Sequence, residues 1–198
     1  YQELGDMLGL EVDGGADMGE GQIFGMKTGD KLFFLENLSR VRQKTLKEVY
    51  NEYNDDDINW FELERLSRAL VAYKDKRKII DYTDMLMKCL KINSFPKLRI
   101  LFVDEAQDLS AIQWDIINQI GKETETIYIA GDDDQAIYRW AGADVNQFIK
   151  LEGNSTILNQ SYRVPFSVHE LASRLSLRIE DRIKKEFKPR DEDGRIRW

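Results

Sequence analysis

The chain is expected to be an α/β protein, with a helical front half and the beginning of a parallel sheet behind it. Three observations carry this. Apolar residues recur at helical spacing up to about residue 90. Pro96 then punctuates the chain, and two short continuous apolar runs follow, ILFV at 100–103 and TIYIA at 126–130. Between them lies a segment with helical spacing. Strand, helix and strand at this interval make a βαβ unit with parallel strands.

In chain order, residues 1–9 read as the end of a helix, and 12–30, rich in Gly and Asp, as a loop. Leu38, Val41, Leu46, Val49, Tyr50 and Tyr53 recur at helical spacing. Asn59 with Glu62 three residues on resembles a capping box, and Phe61, Leu63, Leu66, Leu70 and Tyr73 continue that helix. A short third helix covers about 82–90. The continuous apolar runs predict strands buried on both faces. Ser110 is expected to cap a helix carrying Ile112, Ile116, Ile117 and Ile120. A third apolar run lies at 156–158, Ser167 with Glu170 caps a long helix to about Lys185, and 194–198 begins another strand. The two composition regimes meet near 92–98, which suggests an insertion beside part of a larger sheet domain.

Length and composition narrow the classes. The 198 residues are enough for one domain or parts of two, and 42% are hydrophobic. No apolar run is long enough to span a membrane, and the first residues lack a basic signal-peptide region. The chain does not begin with Met, so it is expected to be a piece of a longer protein. Cys89 is the only cysteine, which excludes an internal disulfide framework and a cysteine-based zinc site and makes a reducing, intracellular location the default. His169 is the only histidine and lies in a predicted helix, so no Ser-His-Asp or Cys-His arrangement and no histidine cluster for zinc is expected. Asp55–Asp57 lacks the Gly and terminal Glu of a calcium loop and reads as a solvated turn. The net charge is −7, and residues 1–30 carry seven acids and one lysine. Residues 174–198 carry nine Lys or Arg against six acids. A net-acidic protein with a local basic track can still meet nucleic acid.

The chemistry gathers at strand ends. LFVDEAQD at 101–108 stops an apolar run at two adjacent carboxylates. The second run ends in GDDDQ at 131–135. In open parallel sheets ligands bind beyond the carboxyl ends of the strands, so both clusters face one crevice. One strand-end carboxylate can hold Mg²⁺ when phosphates supply other ligands, and its neighbour can act as base for a water. The plain alternative is a surface turn after a strand, where Asp is common.

DEAQD, followed by GDDDQAIYRWAGAD at 131–144 and LNQSYR at 158–163, resembles the superfamily 1 DNA helicases of the UvrD/Rep/PcrA group. The likeness continues through VPFSVHELA at 164–172 and reaches back to IIDYTDML at 79–86. It implies a RecA-like P-loop NTPase sheet with a helical insertion subdomain, and an ATP-dependent helicase that moves on single-stranded DNA, 3′ to 5′, and unwinds duplex. ATP and Mg²⁺ are the implied cofactors, and a bacterial cytoplasm, with a bacterial or phage gene, the implied location. On this resemblance Asp104 and Glu105 would hold Mg²⁺, and Glu105 would polarise the attacking water. Gln135 would contact the γ-phosphate, Tyr162 would stack on adenine, Gln160 would order that segment, and Arg163 would reach the γ-phosphate as an arginine finger. Tyr138, Arg139 and Trp140 would stand beside DNA, with Trp140 stacking on a base. Stacking is blind to sequence, which suits a motor that must step over any sequence. The family commonly has Arg where Ala141 follows Trp140, and Asn where Ser161 stands, which puts the strength of DNA coupling in question.

The family's phosphate-cradling loop, G-x-x-x-x-G-K-[ST], has no sound match. GQIFGMKT at 21–28 has Met26 where the second Gly is needed, and a β-carbon there blocks close approach of backbone to phosphate. It reads as coincidence. The expectation is therefore a fragment that does not hydrolyse ATP efficiently by itself. Residues 1–95 would be the helical insertion of the first motor domain, 96–152 its second half, and 153–198 the start of the second motor domain. The remainder of the helicase chain would be its partner. Two other readings stay open: a Mg²⁺-dependent nuclease using Asp104, Glu105, Asp108 and the Asp132–Asp134 run, and a non-catalytic DNA-binding module without a P-loop.

Overall fold

In a computed structural model that describes residues 1–13 and 26–197, five helices precede the first strand: α1 (Gln2–Leu8), α2 (Thr28–Val41), α3 (Leu46–Tyr53), α4 (Trp60–Arg77) and α5 (Tyr82–Ile92). The spacing across 38–53 belongs to two helices. Gln43 turns the chain with φ 55°, and Thr45 restarts it. Thr45 Oγ1 accepts from the Glu48 N–H at 3.2 Å, while Glu48 Oε2 accepts from the Thr45 N–H at 2.8 Å. Asn59 caps α4 by accepting from the Phe61 N–H at 2.8 Å, so its partner is not Glu62. Asp81 and Asp84 form a capping box on α5. The loop expected over 12–30 ends sooner, at the start of α2, and its middle lies outside the described residues.

α2 is buried on nearly every side because α3, α4, α5 and, later in the chain, the helix Ala111–Gly121 pack against it. Leu32, Leu35, Leu63 and Leu66 have no exposed surface, and Leu4, Phe33, Phe34, Leu38, Val49, Ile58 and Leu70 complete this core. A helix buried all round needs its polar groups paired. Lys31 meets Asp55 at 2.8 Å and Asp57 at 3.1 Å, so the expected solvated turn is an ion-pair anchor. Arg40 meets Glu36 and Asp81 at 2.9 Å and Asp84 at 3.1 Å, which binds α2 to the start of α5. Lys74 of α4 joins at 2.8 Å from Asp84.

β1 (Ile100–Val103) and β2 (Thr126–Ile129) pair in parallel, Ile100 opposite Thr126 and Val103 opposite Ile129, with α6 (Ala111–Gly121) as the crossover. Gln113 closes the start of α6 by accepting from the Ser110 N–H at 2.9 Å. The expectation of burial on both faces fails. Val103 packs with Leu101, Ile129, Trp114, Ile117 and Phe148 on one face, the last from α7 (Val145–Ile149). On the other face Phe102 is 73% exposed and stacks on Tyr128 at 5.0 Å. Among the described residues α6 and α7 cover only one side.

The last fifth also departs from expectation. Residues 156–158 are exposed and not a strand; β3 is Gln160–Pro165 and pairs in parallel with β4 (Lys188–Arg190), so the expected strand at 194–198 lies earlier. α8 covers Phe166–Ser176 and stops well short of Lys185. Ser167 lies inside its first turn, with its N–H donating to the Asp193 carbonyl at 3.0 Å. Beyond α8 the chain leaves helical geometry, and Arg182, Ile183 and Lys185 bond to the Asp132–Asp134 turn. No helix of the described residues is long and apolar enough to cross a membrane.

Candidate nucleotide and DNA site

The carboxyl ends of β1 and β2 are tied together. The Ala130 N–H donates to the Val103 carbonyl at 2.8 Å, and the Ala106 N–H donates to the Ala130 carbonyl at 3.0 Å. Asp104 and Glu105 emerge there, both exposed. Glu105 adopts φ 50°, a left-handed conformation that an L-residue holds only where its surroundings enforce it. The turn is fixed by the Glu105 N–H, which donates to Asp104 Oδ1 at 2.9 Å, and by the short 3₁₀ turn Ala106–Asp108.

Gln107 is the hub that the sequence did not announce. It is 2% exposed. Its Nε2 donates to Glu105 Oε2 at 2.8 Å and to Asp108 Oδ2 at 3.3 Å, and its Oε1 accepts from the Asp132 N–H at 2.9 Å. The two strand-end clusters are thus one network. Gly131 makes room for it, since a Cβ there would stand 2.6 Å from Gln107 Oε1. The only sequence signal for Gln107 is a neutral hydrogen-bonding side chain set between two acids. Burial, then the neighbouring Glu105 charge, raises the Asp108 carboxyl above its ordinary range.

From Asp132 the network reaches Gln135, whose Nε2 donates to Asp132 Oδ2 at 2.5 Å. Burial alone would raise the Asp132 carboxyl; hydrogen bonds from Lys185 and Gln135 outweigh that and hold it below its ordinary range. Five residues past Gln135, a 3₁₀ turn (Arg139–Ala141) carries Trp140. The Trp140 ring stacks on Phe34 of α2 at 6.3 Å and is partly buried against the helical core. Tyr138 is 43% exposed, and Arg139 is exposed, its carbonyl accepting from Arg42 at 2.9 Å.

Gln160, Tyr162 and Arg163 lie on β3. The Gln160 amide donates to the Ser161 carbonyl at 3.0 Å and the Pro189 carbonyl at 3.2 Å, spanning β3 and β4. Ser161 Oγ accepts from the Val164 N–H at 3.0 Å. Tyr162 is 85% exposed and Arg163 is exposed. Asp104, Glu105 and Gln135 are therefore brought together, whereas the contacts of Tyr162 and Arg163 among the described residues do not include them. Of the near match at 21–28, residues 21–25 lie outside the described residues. Lys27 pairs with Asp13 at 2.7 Å, and Thr28 opens α2.

The family model of the UvrD/REP helicase N-terminal domain matches residues 33–156, well over half of the chain. The chain belongs to the UvrD/REP helicase family. The match takes in Asp104, Glu105, Gln135 and the 138–140 segment, and ends before β3. Among curated relatives of this family, the ATP-dependent DNA helicase PcrA of Bacillus subtilis is 26% identical over 133 residues, 60% of this chain and 18% of that protein. The ATP-dependent DNA helicase Rep of Buchnera aphidicola is 28% identical over 155 residues, 71% of this chain and 23% of that protein. DNA helicase II of Haemophilus influenzae is 29% identical over 133 residues, 61% and 18% respectively. The chain spans about a fifth of the length of the relatives it matches.

As a UvrD/REP family segment, its donor set suits a hard cation. Asp104 and Glu105 offer carboxylate oxygens at a strand end, and the Asp104 side chain faces solvent with an oxygen to spare.

Proposed function

We propose that this chain supplies the water-activating and DNA-gripping part of an ATP-dependent DNA helicase that moves 3′ to 5′ on single-stranded DNA and separates duplex. The observation that carries this is the continuous network from Glu105 through Gln107 and Asp132 to Gln135, five residues from Trp140. Residues 1–95 are proposed as a helical insertion, 96–152 as the second half of a RecA-like domain, and 153–198 as the start of a second one. The cellular setting proposed is the bacterial cytoplasm, with DNA and the rest of the helicase chain as partners.

Asp104 and Glu105 would hold Mg²⁺, which when bound neutralises phosphate charge. Glu105, oriented by Gln107, accepts the proton of the attacking water. Gln135 offers its second amide N–H to a phosphate oxygen, since the first is given to Asp132. Tyr162 stacks on adenine, Gln160 steadies β3 against β4, and Arg163 approaches the γ-phosphate from the second unit. Tyr138, Arg139 and Trp140 meet single-stranded DNA, Trp140 with the part of its ring that Phe34 leaves open. The rival nuclease reading loses ground, because Asp133 and Asp134 already pair with Lys185 and Arg182.

Replacing Glu105 by Gln keeps the contact from Gln107 but removes the base. In the protein that joins these residues to a phosphate-binding loop, Glu105→Gln is expected to lower ATP turnover by about a hundredfold or more. Binding of a fluorescent ATP analogue should be retained. Turnover at the wild-type rate would remove Glu105 from the chemistry.

A further inference from the structure

Three consecutive carboxylates, Asp132, Asp133 and Asp134, would repel one another if left alone. Two cations from beyond α8 meet them. Lys185 Nζ, on a side chain 6% exposed, lies 2.8 Å from Asp132 Oδ1 and 3.5 Å from Asp134 Oδ2, and it contacts Asp133 Oδ1. Arg182 donates to Asp134 Oδ2 at 2.6 Å, and the Ile183 N–H donates to Asp133 Oδ2 at 2.6 Å. The other oxygen of Asp132, Oδ2, accepts from the Gln135 amide. One carboxylate is therefore gripped on one side by Lys185 and presents its other side to Gln135.

The backbone leaves this carboxylate little freedom. The Asp132 N–H is held by Gln107, and Asp132 Oδ1 accepts from the Asp134 N–H at 3.2 Å. What remains free is rotation of the carboxyl group and the end of the Gln135 side chain. A buried ammonium on Oδ1 fixes the first, and the charge-assisted bond to Oδ2 fixes the second. Desolvation of Lys185 is outweighed by its bonds to Asp132 and Asp133, which keeps it protonated and in place.

We propose that Lys185 is a positioning residue for Gln135, acting through Asp132, so that the segment after α8 sets the direction of the amide. This rests on the role given to Gln135 above. It makes the amide's orientation depend on whether that segment is docked on the Asp132–Asp134 turn. A helicase in which the two units part would lose the correct amide position together with the contact.

The test uses the 198-residue chain with ¹⁵N labelling and no nucleotide. The Gln135 side-chain amide signal is assigned by its loss in Gln135→Ala. In Lys185→Met that signal should leave its wild-type position, and its hydrogens should exchange with water about tenfold faster or more. Lys185→Arg should restore both, and Asp132→Asn should reproduce the Met result. Lys185→Met strips the cation from three carboxylates, so the charge-balanced Lys185→Met/Asp133→Asn is measured beside it and should show the same displaced signal. An unmoved Gln135 amide in the charge-balanced variant, with the fold intact by circular dichroism, would overturn the proposal and leave Lys185 a simple fastener. Since no nucleotide is involved, that failure is distinct from a failure of the ATPase reading, which falls with Glu105→Gln.

Discussion

Arg163→Ala is expected to lower ATP turnover by the complete motor by about three to five orders of magnitude, the range for a guanidinium poised on a transferring phosphoryl group. Arg163 is exposed on β3, and among the described residues its side chain is in no ion pair, so it is free to serve a ligand. The loss should fall on kcat, with KM for ATP little changed, because the guanidinium matters most where charge develops in the transition state. Arg163→Lys should recover only part of the rate, since an ammonium lacks the planar fork that binds two phosphate oxygens. Steady-state phosphate release against ATP concentration reads both parameters. A KM effect alone would mean that Arg163 only binds nucleotide.

The second large effect is on stability. Arg40→Met is expected to destabilise the helical front half by about 3–5 kcal/mol, the range for removing one partner of a buried ion cluster. The side chain of Arg40 is only 13% exposed and serves Glu36, Asp81 and Asp84 at once. Lys74 remains, but it sits on the Asp81 and Asp84 side and does not pair with Glu36. Denaturant unfolding followed by circular dichroism measures the loss.

A pH series separates charge from packing in the same variant. Burial alone would raise the Asp81 carboxyl; bonds from Arg40, Lys74 and the Asp84 N–H outweigh that and hold it well below the carboxylate range. A carboxyl with a depressed folded pKa contributes stability that is present above its unfolded value, about 4, and is lost as pH falls through the folded value. Wild-type stability should therefore fall on acidification below about pH 4. The fall should be shallower in Arg40→Met, where much of the depression is gone. An equal slope in both proteins would show that Arg40 acts by packing.

The parts of this fold written in short contiguous stretches were legible in the sequence. ILFV and TIYIA form parallel strands, and DEAQD and GDDDQ meet at their ends, because a strand end places its next residues in the crevice. α4 starts where Asn59 signals, since a cap acts over two or three residues. What could not be read depends on distant partners. Lys185 is about fifty residues from the aspartates that hold it, and the helix expected to reach it stops at Ser176. The open face of β1 and β2 was missed because an apolar run is compatible with either one or two covered faces. Trp140 shows the same limit: its stacking on Phe34 crosses more than a hundred residues of chain. Gln107 was visible as a letter of the motif, but its place as a buried bridge follows only from the approach of Gly131.

On the proposed function, nucleotide chemistry and DNA grip are joined through Gln135 and the short segment leading to Trp140. The most direct measurement is ATP turnover with and without single-stranded DNA, in the protein carrying these residues and a phosphate-binding loop, compared with its Gln135→Ala variant. DNA should accelerate the wild type and Gln135→Ala should lose that acceleration, while DNA affinity, followed by salt titration, stays near wild type. Undiminished DNA stimulation in Gln135→Ala would contradict that coupling.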